Sequence, residues 1–283
     1  MEIRNKYRAR NWMTPGKAVK WYFKRMAVLA TDWIVTPVHN EGVTPCFIVG
    51  CGHSGTTLIA SKLARHPSVK TIGRETQAFY PNKSILYAKG MAREWIFSAL
   101  ESGNTVFVEK TPKHVHCIGR IRRLMPGAKF IFTARTPLDS VASLHRRFDD
   151  FSLSLDRWVT DNNALLDQLG RVGRDNRLLV RLEDLVADPE NGFRELLAFL
   201  GLAWQPDVLG SGASVYDNPL ADPNVEKRCT QVEQGIYMPK SIWQEMFSDD
   251  EVRHIREKTA DIAAALGYTD GGLPGRDGRQ PGS

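Results

Sequence analysis

A glycine-rich segment follows a short apolar run near residue 50. The sequence Gly50-Cys-Gly-His-Ser-Gly-Thr-Thr-Leu58 comes directly after Cys46–Val49, which is predicted to be a buried parallel strand. The free backbone N–H groups of such a loop, and the positive end of the helix that follows it, bind anions. Ser54, Thr56 and Thr57 add hydroxyl donors. The loop is therefore predicted to hold a phosphate or a similar group.

The loop differs from a nucleoside-triphosphate loop at one position. Gly50 and Gly55 have the spacing of the G-x-x-x-x-G-K-[ST] motif, but Thr56 occupies the position of the lysine. That lysine reaches the outer phosphates of a nucleoside triphosphate, so its absence favours a smaller anionic group. A P-loop kinase-like phosphotransferase remains the alternative enzyme hypothesis.

A second candidate anion site lies further along the chain. Arg135 follows a predicted strand, and Ser143 comes eight residues later on the helix predicted to begin near Pro137. An arginine can bind a phosphate through two hydrogen bonds, and the serine can donate another from a neighbouring turn. The pair is therefore predicted to bind a second phosphate.

These residues are placed by an alternation of strands and helices. Such alternation predicts an α/β domain with a central, mainly parallel sheet flanked by helices, in which ligands bind beyond the carboxyl ends of the strands. Glu75 and Lys110 also follow predicted strands, so one common site is expected. The predicted strands are 46–49, 69–72, 105–108, 128–133 and 178–182, and the predicted helices are 56–65, 83–100, 113–124, one from about 137, 191–200 and 249–266.

The two anion motifs together resemble a known family. Gly50–Leu58 is similar to the 5′-phosphosulfate loop of sulfotransferases that use 3′-phosphoadenylyl sulfate (PAPS), and Arg135 with Ser143 resembles their 3′-phosphate element. Gly73-Arg-Glu-Thr76 resembles a glutamate element of tyrosylprotein and related Golgi-type sulfotransferases. The resemblance covers roughly residues 45–268 and implies a three-layer P-loop-like fold.

The resemblance also implies roles for individual residues. Glu75 is expected to be the base that accepts the acceptor's proton, and Lys110 is expected to neutralise charge on the bridging oxygen of the leaving group. PAPS is expected as the sulfuryl donor and 3′-phosphoadenosine 5′-phosphate (PAP) as the product, with no metal required. The expected cofactor-binding residues are Gly52, His53, Ser54, Gly55, Thr56, Thr57, Arg135 and Ser143.

His53 departs from the family pattern, which has arginine or lysine before Ser-Gly-Thr-Thr. Imidazole carries a charge only part of the time near neutral pH, so His53 is a weaker cation. It is open whether His53 acts as a cation, a hydrogen-bond donor or the catalytic base, and a nucleotide-binding protein without catalysis is a further alternative. Glu109 is expected to pair with Lys110 or Arg135.

Composition narrows the class of partner. The chain has 283 residues, 42% of them hydrophobic, and carries a net charge of +6, which suits anionic ligands or a membrane surface. It contains no long basic run or nucleic-acid motif, so nucleic acid is not expected. The four cysteines have no C-x-x-C spacing, which predicts reduced thiols, a cytoplasmic location and no metal site.

Three regions are predicted. Residues 1–44 form a basic lead-in, residues 45–268 the sulfotransferase-like domain, and residues 269–283 a disordered tail rich in Gly, Pro and charge. Within the lead-in, residues 16–35 mix basic and aromatic side chains. They fit a helix packed on the domain better than a helix lying at a membrane surface, although both hypotheses stay open.

The acceptor is not identified by these motifs. The chemistry predicts a hydroxyl or amine of a glycan, a lipid or a small molecule. The acceptor pocket is expected to be built from loops within 76–104 and 145–175.

Overall fold

A computed structural model describes residues 35–40, 42–211 and 235–268. Its centre is a five-stranded parallel sheet with the strand order β2-β3-β1-β4-β5. The strands are β1 (Thr44–Gly50), β2 (Val69–Ile72), β3 (Val106–Lys110), β4 (Lys129–Ala134) and β5 (Arg177–Arg181).

Helices connect the strands and follow the last one. They are α1 (Thr56–Leu63), α2 (Ile85–Glu101), α3 (Ile118–Leu124), α4 (Pro137–Phe148), α5 (Phe151–Arg171), α6 (Leu182–Ala187), α7 (Pro189–Leu200), α8 (Trp243–Met246) and α9 (Asp249–Ala265). Short 3-10 segments cover Pro112–Cys117, Arg174–Asn176 and Pro206–Leu209.

The helix boundaries follow from local sequence. Pro137 occupies the first turn of α4, where its missing N–H costs nothing. The side chain of Ser248 caps α9 in a reciprocal capping box with Glu251. Gly201, in the left-handed conformation at φ 76°, ends α7. These signals explain why the ends of several helices were predictable.

The sheet has two buried faces because successive strand residues point to opposite sides. Phe47, Phe107 and Phe130 belong to the core on one face, which includes residues of α2, α4, α5 and α9. Ile48 and Val108 belong to the core on the other face, which includes residues of α1 and α7. The parallel sheet predicted from the alternation of strands and helices, and the three-layer fold implied by the resemblance, are therefore confirmed.

Most predicted elements appear close to their expected bounds, although α6 and α8 were not predicted and two further differences lie nearer the site. The helix expected over 113–124 is a 3-10 segment followed by the short α3. The chain after α4 forms a separate 21-residue helix, α5, whose bounds were not predicted from the sequence. Asp149 separates α4 from α5 in the left-handed conformation, at φ 53°.

Some predictions lie outside the described residues. These are most of the basic lead-in, including nearly all of residues 16–35, and the tail at 269–283. Across the parts of the chain that are described, no helix combines the length and apolar character that crossing a bilayer requires.

Candidate active site

The loop after β1 depends on two glycines. Gly50 has φ 145°, and a Cβ atom there would overlap the carbonyl oxygen of Thr133 on the adjacent strand β4. Gly55 has φ 87°, and a Cβ atom there would lie 2.7 Å from Leu182 Cδ1. Side chains at either position would be strained and would push the loop away from its neighbours. The tight turn into α1 therefore requires glycine at both ends.

The N-terminus of α1 carries uncapped backbone donors. Gly55 is its N-cap, and no side chain of the described residues caps the first turn. Ser54 is buried and directs its hydroxyl to the carbonyl of Cys51 at 2.6 Å, while its Oγ lies 2.7 Å from Thr133 Oγ1. Ser54 therefore braces the loop in this structure, and the backbone N–H groups of α1 remain the main donors for an anion.

His53 joins the loop to the second anion element. Its backbone is left-handed, at φ 70°, which is uncommon for a residue with a side chain. The ring Nδ1 lies 3.0 Å from Ser143 Oγ, and Arg135 Nη1 donates to the His53 carbonyl oxygen at 3.5 Å. The two motifs, which are about 80 residues apart in sequence, are therefore neighbours in space.

Arg135 is a buried cation at this junction. Its Nη2 lies 3.8 Å from Asp139 Oδ1, and its Nε has no hydrogen-bond partner among the described residues. Burial lowers the pKa of Arg135, and the nearby carboxylates of Asp139 and Glu183 oppose that shift. A buried donor without an acceptor costs free energy, which an anionic ligand would recover.

Glu75 and Lys110 form an ion pair at the carboxyl edge of the sheet. Lys110 Nζ lies 2.7 Å from Glu75 Oε1, and the side-chain exposures are 2% for the lysine and 28% for the glutamate. Lys110 is the last residue of β3 and is in register with Ile48 on β1. The pair therefore lies on the strand next to the one that leads into the anion loop.

The expected partners of Glu109 were wrong. Glu109 and Lys110 are adjacent on β3, so their side chains leave opposite faces of the sheet. Glu109 is fully buried and accepts hydrogen bonds from Thr76 Oγ1 at 2.8 Å and from Thr111 Oγ1, and it lies 3.0 Å from His114 Nδ1. Its pKa would be raised by burial, but His114, Thr111 and Thr76 hold it below the usual value.

A further cluster near the loop had no predicted role. Arg157 Nε donates to Asp161 on the next turn of α5, and His116 Nε2 lies 2.7 Å from the other oxygen of Asp161. Arg157 also approaches Gly52 of the loop, where a Cβ atom would lie 3.8 Å from Nη2. The i, i+4 spacing of Arg157 and Asp161 is typical of a side-chain contact on a helix. No local pattern in the sequence indicates the approach of Arg157 to Gly52.

The site residues therefore form two neighbouring groups. The loop, Arg135 and Ser143 lie together, and Glu75 with Lys110 lies one strand away. In the described ranges, no group of three or more His, Cys, Asp or Glu side chains is placed to hold a metal ion. Such an edge can bind an anionic ligand at two points and present a carboxylate to a second molecule.

Comparison with known proteins identifies a family that part of the chain resembles. Residues 74–206 match the model of the sulfotransferase family, a range that includes Glu75, Lys110, Arg135 and Ser143. Over this range, the chain is similar to the sulfotransferase family. The predictions of family and of a sulfotransferase enzyme are therefore confirmed.

Curated relatives extend the similarity beyond the matched range. Protein-tyrosine sulfotransferase A of Caenorhabditis elegans is 26% identical over 266 residues, covering 82% of this chain and 69% of the relative. The protein-tyrosine sulfotransferase of Drosophila melanogaster is also 26% identical, covering 81% of this chain and 52% of the relative. The chain therefore spans between about half and seven tenths of the length of these relatives.

Solved structures show the same fold. The sulfotransferase domain of the Synechococcus PCC 7002 olefin synthase superposes with a TM-score of 0.59 at 21% identity, covering 85% of this chain and 99% of that domain. A sulfotransferase from Alicyclobacillus acidocaldarius superposes with a TM-score of 0.52 at 16% identity, covering 79% and 95%. The P-loop-like arrangement is thus shared.

Proposed function

We propose that this sulfotransferase transfers a sulfuryl group from PAPS to a hydroxyl or amine of an acceptor. The observation that carries this proposal is the junction of the loop with the Arg135 element. His53 contacts both Ser143 and Arg135, so two cationic or donor-rich anion sites lie side by side. A ligand with phosphates at two ends of one nucleoside suits such a pair better than a single phosphate does.

The residues present fit PAPS. The buried Arg135 has an Nε donor without a described partner, which suits an additional phosphate oxygen. The N-terminus of α1 lacks a side-chain cap and follows a loop that tolerates no Cβ at Gly50 or Gly55. We assign the 3′-phosphate to Arg135 and Ser143, and the 5′-phosphosulfate to residues 52–57.

The chain's own residues supply positioning, charge and a base. Bound PAPS supplies the activated sulfuryl group. Lys110 is buried at its strand end, where the ammonium group can stabilise charge that develops on the leaving phosphate. Glu75 is more exposed and can accept the proton of an incoming hydroxyl or amine. The 2.7 Å contact holds these two groups in one arrangement before the acceptor arrives.

The acceptor is proposed only as a class. Glycans, lipids and small molecules with a free hydroxyl or amine remain candidates. The relatives named protein-tyrosine sulfotransferase add the phenol of a tyrosine side chain to the acceptors that should be screened.

Ligand-dependent thermal unfolding tests the donor. A ligand that binds the native state raises its stability by mass action, so PAP should raise the melting temperature more than Mg-ATP at equal concentration. Equal or greater stabilisation by Mg-ATP would favour the kinase-like alternative and end the PAPS proposal. An acceptor screen with labelled PAPS then separates an enzyme from a protein that only binds the nucleotide.

Arg135→Lys tests which phosphate Arg135 binds. Lysine keeps the charge but loses the two-pronged donor geometry, so PAP affinity should fall by about 1–3 kcal/mol. Adenosine 5′-phosphosulfate lacks the 3′-phosphate, and its affinity should change little. Calorimetry measures the affinity for both ligands. An equal loss of affinity for the two would show that Arg135 does not bind the 3′-phosphate.

A further inference from the structure

Asp161 lies at the centre of a charged cluster beside the anion loop. Its carboxylate is almost fully buried, accepts from Arg157 Nε on one oxygen and lies 2.7 Å from His116 Nε2 on the other. Burial by itself would raise the pKa of Asp161, but the contacts with His116 and Arg157 keep it below the usual value. Asp161 is therefore a fixed carboxylate that orients a guanidinium group.

The oriented guanidinium faces the loop. Asp161 accepts a hydrogen bond from Nε of Arg157. The terminal Nη2 atom of the same guanidinium group would lie 3.8 Å from a Cβ atom placed on Gly52. Arg157 is only 13% exposed. The guanidinium group therefore forms part of the wall beside residues 52–57, which we assigned to the 5′-phosphosulfate.

The loop itself is poor in fixed charge. No lysine or arginine occurs between Gly50 and Leu58, and His53 occupies the position where the family resemblance leads us to expect a cation. The ring of His53 is also engaged with Ser143 through Nδ1. Arginine, in contrast, carries a charge throughout the physiological pH range.

We propose that Arg157 is the cation of the 5′-phosphosulfate site in this chain and supplies, from α5, the charge that His53 does not. Asp161 is its positioning residue, and His116 fixes Asp161 in turn. This inference rests on the proposed function, because it assigns a residue to the 5′ end of the same ligand.

Arg157→Gln tests the assignment with two nucleotides. The variant should bind PAP about 10- to 100-fold more weakly, the range for losing a charge-assisted hydrogen bond. Adenosine 3′-phosphate has no 5′-phosphate, so its affinity should stay within about twofold of wild type. Arg135→Lys is the matched control with the opposite pattern: it should weaken both of these ligands because both carry the 3′-phosphate.

A rescue experiment separates charge supply from structural damage. In the Arg157→Gln background, His53→Arg returns a cation to the loop and should recover most of the lost PAP affinity. A purely structural role for Arg157 predicts no recovery. Arg157→Lys keeps a charge next to Asp161 and should show an intermediate loss of PAP affinity. Thermal melts check that each variant is folded.

The outcomes distinguish the two proposals. If wild-type protein does not bind PAP, the proposed function fails. If wild type binds PAP but Arg157→Gln binds it equally well, or if this variant loses PAP and adenosine 3′-phosphate equally, the assignment of Arg157 is overturned while the function stands.

Discussion

Two glutamates near the end of β3, each in contact with a nitrogen-bearing side chain, differ in burial and in the number of their partners. Glu109 and His114 have no exposed side-chain surface, and the carboxylate also accepts from Thr76 and Thr111. The second pair, Glu75 with Lys110, combines a buried lysine with a glutamate that is 28% exposed. The same residue type is thus used twice within a short distance, once inside the core and once at the site.

The difference shows how environment assigns roles to carboxylates. A buried carboxylate surrounded by donors is stabilised as a charge, and removing one member leaves the others unsatisfied. A partly exposed carboxylate beside a buried ammonium group can meet a second molecule and take its proton. We therefore expect loss of stability from changes to the first pair and loss of turnover from changes to the second.

The largest effect is expected for Glu75→Gln. The amide keeps the shape but cannot accept a proton as a carboxylate does, so turnover should fall about 10²- to 10⁴-fold while PAP affinity stays nearly unchanged. Steady-state rates and calorimetry on the same preparation measure both. Glu190→Gln, on the exposed surface of α7, is the matched control and should behave as wild type.

His53 offers the competing base, and His53→Arg separates the two. The family's usual residue should preserve turnover and flatten any acid-side pH dependence caused by imidazole protonation. Near wild-type turnover in Glu75→Gln together with a collapse in His53→Arg would transfer the base to His53. The Glu75–Lys110 pair would then no longer be the pair on which turnover depends.

Glu109→Gln should be the next largest change, in the free energy of unfolding. Breaking a buried ionic network typically costs about 3–5 kcal/mol, and denaturant titration at neutral pH measures this. Because the pKa of Glu109 is held below its usual value, its stabilisation is present above that value and is lost as the pH falls through the folded-state pKa. The stability gap between wild type and variant should therefore narrow in acid.

The outcome for residual activity completes that test. Folded Glu109→Gln, measured well below its unfolding midpoint, should retain turnover within about tenfold of wild type, far from the general-base range. A loss of turnover as severe as that expected for Glu75→Gln, without any loss of stability, would reverse the roles of the two glutamates.

The smallest effect is expected at the link between the pairs. Thr76 follows Glu75 directly, and both its backbone N–H and its hydroxyl donate to Glu109 Oε1, at 3.3 and 2.8 Å. Thr76→Val removes the hydroxyl bond and should cost about 0.5–1.5 kcal/mol in unfolding free energy. Turnover should fall by less than in Glu75→Gln, and Thr76→Ser should restore both; a silent Thr76→Val would mean that this link does not position Glu75.

The sequence predicted the parts of the site that depend on strand ends. Parallel strands place their carboxyl ends at one edge, so Glu75, Lys110 and Arg135 could be assigned to a common edge from the alternation of elements alone. The loop was predictable because tight turns and helix N-termini leave a local signature.

Contacts across elements could not be predicted in the same way. Whether Glu109 meets Lys110 or His114 depends on which face of β3 each side chain leaves and on the 3-10 geometry of Pro112–Cys117, which the sequence pattern indicated as a regular helix. The approach of Arg157 to Gly52 depends on how α5 packs beside β1, a tertiary arrangement that no spacing encodes.

The attachment of Thr76 to β3 has a consequence for engineering acceptor preference. The hydrogen bonds to Glu109 and Thr111 fasten the chain immediately after Glu75. Exposed positions after Thr76 can therefore be varied without moving Glu75, provided that core residues such as Phe79 and Trp95 are kept. Acceptor molecules bound by the new side chains would then meet Glu75, the proposed proton acceptor, in its original orientation.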